Sequence, residues 1–411
     1  MRTPTRSRLL PTPPDGDELE CVAAHLGHLA FEPAGQLTRS RRYRGGQVRA
    51  DAALAALDIT GYARRRSTVL PVERRGATGL SPFLRHGLLA LPRLWDHVVD
   101  AGAADRQRFR DELLWQEYAR HVYARLGRRT AAPLRHRPTV SEQWDDPWPG
   151  DMACMELTVG ELEGDGWLVN QTRMWMASQW TVRHGAPWNE GEDRFFRHLL
   201  DGSRAANRLG WQWTIGAATG KPYGFSRWQV EKRALGLCAT CRYRHACPIQ
   251  RWPNAPPGER VDEPAALRHD PDPAATGGPV EPTGEGGADV VWVTAESLGD
   301  DDPALGAHPD LPVVFVFDER LLERLTLSSQ RLCFLAETLS DLATRRTVEV
   351  WLGDPLDALA GRAVASTFAP VLRWRRYAAK IDAIEVHPWP WLVRPHGGSA
   401  RSYTAWRKTT G

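Results

Sequence analysis

The sequence predicts an α + α/β chain: an all-helical first part, then a small parallel-sheet α/β part. Three observations predict it. Apolar residues of the first part recur at helical spacing, and strand-like alternation is scarce before residue 288. Beyond that point, short unbroken apolar runs alternate with helical patterns, as buried parallel strands and their crossover helices do. Between the two lies PPGERVDEPAALRHDPDPAATGGPVEPTGEGG, rich in Pro, Gly and acid and almost without apolar periodicity, which reads as an exposed linker. The expected divisions are 1–255, 256–287 and 288–411.

Each element has its own signal. In FRDELLWQEYARHV, Phe109, Leu113, Tyr118 and Val122 recur at near-helical spacing. EDRFFRHLLDGSRAANRLGWQW predicts another helical stretch, interrupted at Asp201-Gly202-Ser203. Val290–Val293 and Val313–Phe317 are too short for helices and unbroken enough for buried strands. SSQRLCFLAETLSDLA follows as a helix, and VEVWLGDP as a strand ending in a Gly-Asp-Pro turn.

Composition narrows the class. Apolar residues make up 42% and charged residues 25%, so the chain is globular rather than disordered, collagen-like or disulfide-stapled. No run of 18 apolar residues offers a membrane span, the first residues carry no apolar signal core, and six cysteines suit a reducing compartment. A cytoplasmic monomer without membrane contact is expected. Charge is uneven: residues 1–255 carry 37 Lys+Arg against 27 Asp+Glu, and the remainder carry 16 against 23. A basic first part suggests a polyanionic partner there. The 18 tryptophans need either a packing reason or an aromatic ligand to stack on.

Cys238-Ala-Thr-Cys241, followed by Cys247-Pro248, is a C-x₂-C-x₅-C-P pattern. Three thiolates so close converge readily on one metal centre, with a fourth ligand from elsewhere. Cys154 is the obvious donor, while His245 would suit zinc, and three unrelated buried thiols are the plain alternative.

A Trp-rich block carries the most specific pattern. It runs Asn170-Gln-Thr-Arg173-Met174, then Trp188-Asn-Glu-Gly-Glu, then Asp201-Gly202-Ser203-Arg-Ala-Ala-Asn207-Arg-Leu-Gly-Trp211-Gln-Trp213. In this order and spacing the block resembles the flavin-binding domain of the photolyase/cryptochrome family. Upstream, the approach to Tyr62, the loop Thr78-Gly79-Leu80-Ser81 and the stretch Glu112-Leu-Leu-Trp115-Gln-Glu-Tyr118 are similar to the same family, with Phe109, Gln116 and Ser203 departing from its commoner residues.

The resemblance implies non-covalent FAD held by Tyr62, Thr78, Gly79, Leu80, Ser81, Phe109, Arg173, Asp201, Gly202, Ser203 and Asn207. A hydroxyl-bearing loop at a helix start suits a pyrophosphate, Arg173 and Asp201 can pair beneath a flavin ring, and the Asn207 amide can bond its N5–H. The implied activity is light-driven repair of cyclobutane pyrimidine dimers in DNA by electron transfer from photoexcited reduced FAD. The alternative is a cryptochrome-like blue-light photoreceptor without repair activity. Glu112 and Trp115, three apart on one helix face, would meet a flipped dimer through a carboxylate and an indole. Asn170 and Met174 match the cyclobutane-dimer enzymes rather than those for the (6-4) lesion. Trp188 and Trp211 match two electron-relay tryptophans, with Trp144 and Trp148 as candidates for a third. Arg64, Arg65 and Arg66 would hold DNA phosphates.

Within the family, the cysteines are similar to those of an iron–sulfur bacterial branch, which implies a [4Fe–4S] cluster on Cys154, Cys238, Cys241 and Cys247. VVWVTAESLGDDDPAL, PVVFVFDERLL, the helix that follows and VEVWLGDP resemble the family's α/β domain. That domain normally comes first, so the resemblance implies a circularly permuted order. No antenna chromophore is assigned.

Overall fold

A computed structural model describes residues 6–141, 144–284, 286–381 and 383–410. The chain forms two compact units, each assembled from separated segments. One comprises Asp58–Gly79, Val98–Asp270 and Gly398–Gly411; the other comprises Met1–Leu57, Leu80–His97 and Pro271–Gly397.

The first unit is built on helices. α1 (Ala103–Leu126) buries Phe109, Leu113, Tyr118 and Val122, as their spacing predicts, with Phe109 and Leu113 on one side and Tyr118 and Val122 on the opposite one. α2 (Ala153–Asp165) ends at Gly166, and α3 (Asn170–Ala177) continues into a π-helical turn, Ser178–Arg183. α4 (Trp188–His198) and α5 (Ala206–Thr214) flank the expected break at Asp201–Ser203. α6 (Arg227–Arg233) starts where Gln229 Oε1 reaches back to accept from Ser226 N–H at 3.3 Å, and leads to the short α7 (Leu237–Thr240). The core of this unit is aromatic and sulfurous: Trp148, Met152, Met155, Trp175, Phe195 and Trp211 pack together. The unit is not wholly helical, since His136–Arg137 pairs antiparallel with Glu259–Arg260.

The second unit is a six-stranded sheet with helices. Its strands are β1 (Arg8–Leu10), β2 (Val290–Val293), β3 (Val313–Asp318), β4 (Val348–Gly353), β5 (Val364–Thr367) and β6 (Glu385–His387). They lie in the order β1-β4-β3-β2-β5-β6. β2 through β6 are parallel, with Val291 opposite Val313 and Phe315 opposite Val350. The strand order reverses at β2, as in a doubly wound sheet. α8 (Pro303–Ala307) follows β2, and α9 (Ser329–Ala343) lies between β3 and β4. β2 and β5 are buried throughout; β2 reads as an unbroken apolar run for that reason, whereas β5, Val-Ala-Ser-Thr, carries two hydroxyls and gave no such signal.

The divisions expected at 255 and 288 are displaced. β1 pairs antiparallel with β4, Arg8 opposite Leu352, so the chain's first segment belongs to the sheet. A three-residue strand is too short to show alternation. At the other end, the closing helix Tyr403–Arg407 joins the helical unit, where Trp406 Nε1 donates to His121 Nδ1 at 2.9 Å. The stretch 256–287 is not a free linker either. Leu267 and Asp270 are buried, and Asp270 pairs with Arg125 at 3.2 Å. Its acids and prolines make specific caps and pairs, a role that composition does not reveal.

Candidate functional site

α3 places Arg173 so that its guanidinium meets the Asp201 carboxylate at two points, Nη1 to Oδ1 at 3.1 Å and Nη2 to Oδ2 at 2.7 Å. Its Nε also donates to the Leu168 carbonyl at 3.1 Å. Asp201 is buried in the turn between α4 and α5. The turn is braced by Glu192, 1% exposed, which takes hydrogen bonds from Arg204 and, at 2.9 Å, from Arg208. Burial pushes the Glu192 carboxyl up, and the two arginines oppose that shift. Gly202 is buried in the same turn, and Ser203 N–H donates to Asn207 Oδ1 at 2.9 Å.

The Asn207 oxygen accepts from Ser203, whereas its Nδ2, also buried, has no hydrogen-bond partner. The amide therefore offers a donor, and its oxygen keeps a second lone pair for an N–H group. Buried amide donors are rarely left unpaired, so this one points to a ligand. Asn170 opens α3 and is exposed, while Met174 is half-buried.

On α1, Glu112 accepts from Arg66 Nη1 at 2.7 Å. Burial pushes the Glu112 carboxyl up, with Arg66 and then Arg108 opposing it. Arg66 is thus paired with Glu112 and remains partly exposed. Arg64 and Arg65 remain exposed. Other basic clusters are also internally engaged: Arg75 pairs with Glu161, and Arg44 with Glu337. Tyr62, which is buried, meets Phe109 edge to face at 5.3 Å.

Trp115 is 38% exposed, and Tyr403 stacks on it at 4.1 Å and 10°. Sequence reasoning missed Tyr403, although the aromatic pair Tyr403 and Trp406, one helical turn apart, is a visible signal. Gly79 has φ +73°, a conformation that favours glycine, and the chain passes from one unit to the other between it and Leu80. Leu80 is buried, and Ser81 begins a helix of only five residues.

The tryptophans divide into two uses. Ten of the 18 are buried, so packing accounts for most of them. Trp188 and Trp211 are among these, whereas Trp144 is partly exposed. Trp211 meets Phe195 at 5.2 Å, and Trp148 meets Trp180 at 4.6 Å. Gly191 makes this packing possible, because a Cβ there would sit 2.3 Å from Trp211 and 2.9 Å from Trp180. Trp180, unassigned from the sequence, lies on the π-helical turn.

The four cysteines of the sequence pattern do meet. Cys154 on the first turn of α2, Cys238 on α7, Cys241 at its end and Cys247 beyond line one small cavity with Met152, Val230 and Ile249. Tyr243 and Arg242 pin the intervening loop to Asp151 at 2.7 and 3.0 Å. Burial, then the three neighbouring thiols, pushes Cys154 up to about 12. Burial, followed by Glu231, pushes Cys238 up to about 11. A cation among them would invert this preference and hold the sulfurs as thiolates. Among the described residues, no three of these sulfurs lie within 4.8 Å of one another. A single tetrahedral zinc ion would set them about 3.8 Å apart.

Residues 109–231 match the family described as the FAD binding domain of DNA photolyase. The deoxyribodipyrimidine photo-lyase of Synechococcus is 27% identical over 211 residues, which is 47% of this chain and 42% of that protein. The Thermus thermophilus enzyme of the same name is 31% identical over 194 residues, 40% of this chain and 42% of that protein. The matched stretches thus span under half the length of either relative. A class III photolyase structure from Agrobacterium tumefaciens overlaps 54% of this chain and 46% of its own at 22% identity, with a TM-score of 0.39. No helix among the described residues is long and apolar enough to cross a membrane. Over residues 109–231, within its helical unit, this chain is similar to the FAD binding domain of the photolyase family.

Proposed function

We propose that the helical unit binds FAD and that the protein carries out light-driven splitting of cyclobutane pyrimidine dimers in DNA. The observation that carries this reading is the pair Glu112 and Trp115. A half-buried carboxylate stands one turn from an exposed indole on a helix inside the matched region. When bound, FAD supplies blue-light absorption and one-electron donation. Asn207 would hold it through its unpaired Nδ2, with Arg173 and Asp201 as a fixed dipole beside it. Tyr62, Phe109, Gly202, Ser203 and the loop Thr78, Gly79, Leu80 and Ser81 complete the proposed set. Asn170 and Met174 would face the lesion, and Trp188 and Trp211 would carry electrons.

The chain's own residues have defined tasks. Trp115 offers a ring to an extruded base, a stack worth roughly 1–3 kcal/mol. Arg66 holds Glu112 in one orientation. The exposed Arg64 and Arg65 suit phosphate contacts that carry no sequence information. We also assign a [4Fe–4S] cluster to Cys154, Cys238, Cys241 and Cys247, which their open spacing supports over single zinc. The parallel part of the sheet unit, from β2 on, is read as the family's usual first domain placed after the flavin domain, with β1 added from the start of the chain. Its doubly wound strand order supports this.

One observation favours the photoreceptor reading. Tyr403 covers a face of Trp115, the ring a lesion would need. The deciding experiment is a blue-light assay on a dimer-containing oligonucleotide with the flavin reduced. Light-dependent loss of dimer and preference for damaged over intact DNA are expected. Neither appearing would overturn the repair reading in favour of the receptor. In the same assay, Tyr403→Ala should tighten dimer binding, because it uncovers the indole, and Trp115→Ala should weaken it on the order of tenfold or more. Replacing Arg64 and Arg65 together by Ala should weaken binding to damaged and intact DNA alike. The slope of log affinity against log salt should fall by about 2, one unit per lost phosphate contact.

A further inference from the structure

We propose that His308, Glu385 and His387 in the sheet unit form a binding site for one zinc-type divalent cation. Among the described residues, theirs is the one group of three or more potential ligands whose atoms all lie within 4.8 Å of one another. His308 Nε2 stands 2.8 Å from Glu385 Oε1, and His387 Nε2 stands 2.6 Å from the same oxygen. The two imidazoles cross at 89° with centroids 5.8 Å apart, and each brings its Nε2 to that one oxygen.

The fold holds these residues in place. Glu385 and His387 are two apart on β6 and therefore share a face of the strand. Their backbone is fixed from both sides. β5 pairs with β6, setting Ala365 opposite Glu385 and Thr367 opposite His387. On the far side, Thr283 and Val386 exchange N–H to carbonyl bonds at 3.0 and 3.2 Å. His308 ends α8, and Arg346 grips its carbonyl at 2.8 Å together with those of Pro309 and Leu305. Glu385 and His387 are buried, and His308 is half-buried, which leaves one side open for entry.

The chemistry fits a borderline cation. Two imidazoles and one carboxylate are a zinc donor set, and three protein ligands leave the fourth tetrahedral position for water. Metal–ligand bonds of 2.0–2.1 Å put neighbouring ligand atoms about 3.3 Å apart. The contacts here are about half an ångström shorter, a gap that small side-chain rotations open. This site is far in sequence from the cysteine centre, has no sulfur, and does not depend on the flavin reading.

Cobalt(II) is the probe, because it reports its ligands optically. Titrated into the purified full chain, it should give weak visible bands of nitrogen and oxygen ligation, without the strong near-ultraviolet bands of sulfur ligation. One equivalent of zinc should displace it. His308→Ala and Glu385→Gln should each weaken that binding roughly tenfold or more, the least loss expected when a group that matters to a metal site is removed. Zinc should raise the melting temperature of the wild type and not of either variant. The half-exposed His308 keeps the test informative if variants of the buried His387 fail to fold. Absence of nitrogen–oxygen cobalt bands in the wild type, or identical titrations in the wild type and folded His308→Ala, would reduce the cluster to a hydrogen-bonded His-Glu-His triad.

Discussion

Replacing Arg173 by Leu is expected to destabilise the protein by about 3–5 kcal/mol and to empty it of flavin. The size follows from what is left behind. Asp201 is buried, and the lost guanidinium makes two hydrogen bonds to it. A carboxylate stranded in that turn must remain ionised without a partner or take up a proton. The companion variant separates stability from binding. Changing Arg173 to Leu and Asp201 to Leu together removes both charges, and much of the stability should return. Flavin should not return if the pair serves the cofactor. Chemical denaturation measures the first quantity, and the flavin-to-protein absorbance ratio the second. A double variant that regains flavin would show that the pair is merely structural.

The second large effect concerns the cysteines. Changing any one of Cys154, Cys238, Cys241 or Cys247 to Ala should abolish the metal centre and sharply lower the yield of soluble protein. These residues join α2, α7 and the loop beyond α7 around one cavity. Binding energy at a structural metal centre is folding energy, on the order of 10 kcal/mol for zinc sites. Iron and sulfide analysis should give about four of each per chain for a cubane cluster. Zinc without iron would convert the site to a structural zinc knot. Cys333, buried on α9 in the other unit, and Cys21 are not among the residues that line this cavity and should be dispensable for the metal.

How much was legible in the sequence can be seen in single elements. Val290–Val293 was read as a strand with the bounds β2 has, and the helix Ser329–Ala343 was read nearly end to end. The break between α4 and α5 fell where Asp201-Gly202-Ser203 signals it. The convergence of Cys154 on the C-x₂-C and C-P cysteines was also expected, and the structure brings the four around one cavity. Tyr403 against Trp115, and Arg66 against Glu112, were not expected. Nothing near Arg66 in the chain distinguishes it from Arg64 or Arg65, and only the fold turns it inward.

Periodicity, turn chemistry and motif spacing act within a few turns of chain, so the sequence by itself determined the helical character of the first part, the parallel strands of the second and the grouping of the four cysteines around one cavity. The tertiary structure alone decided what depends on long-range closure. It carried β1 to the edge of the sheet beside β4, drew Trp406 onto His121 from 285 residues away, and left the buried Asn207 Nδ2 without a partner. It also brought His308 to the Glu-Val-His end of β6. Such contacts cost loop-closure entropy that grows only slowly with separation, so a distant partner is nearly as accessible as a near one. The choice among distant partners is made by burial and by hydrogen-bond satisfaction in the assembled core, and neither is written in local pattern.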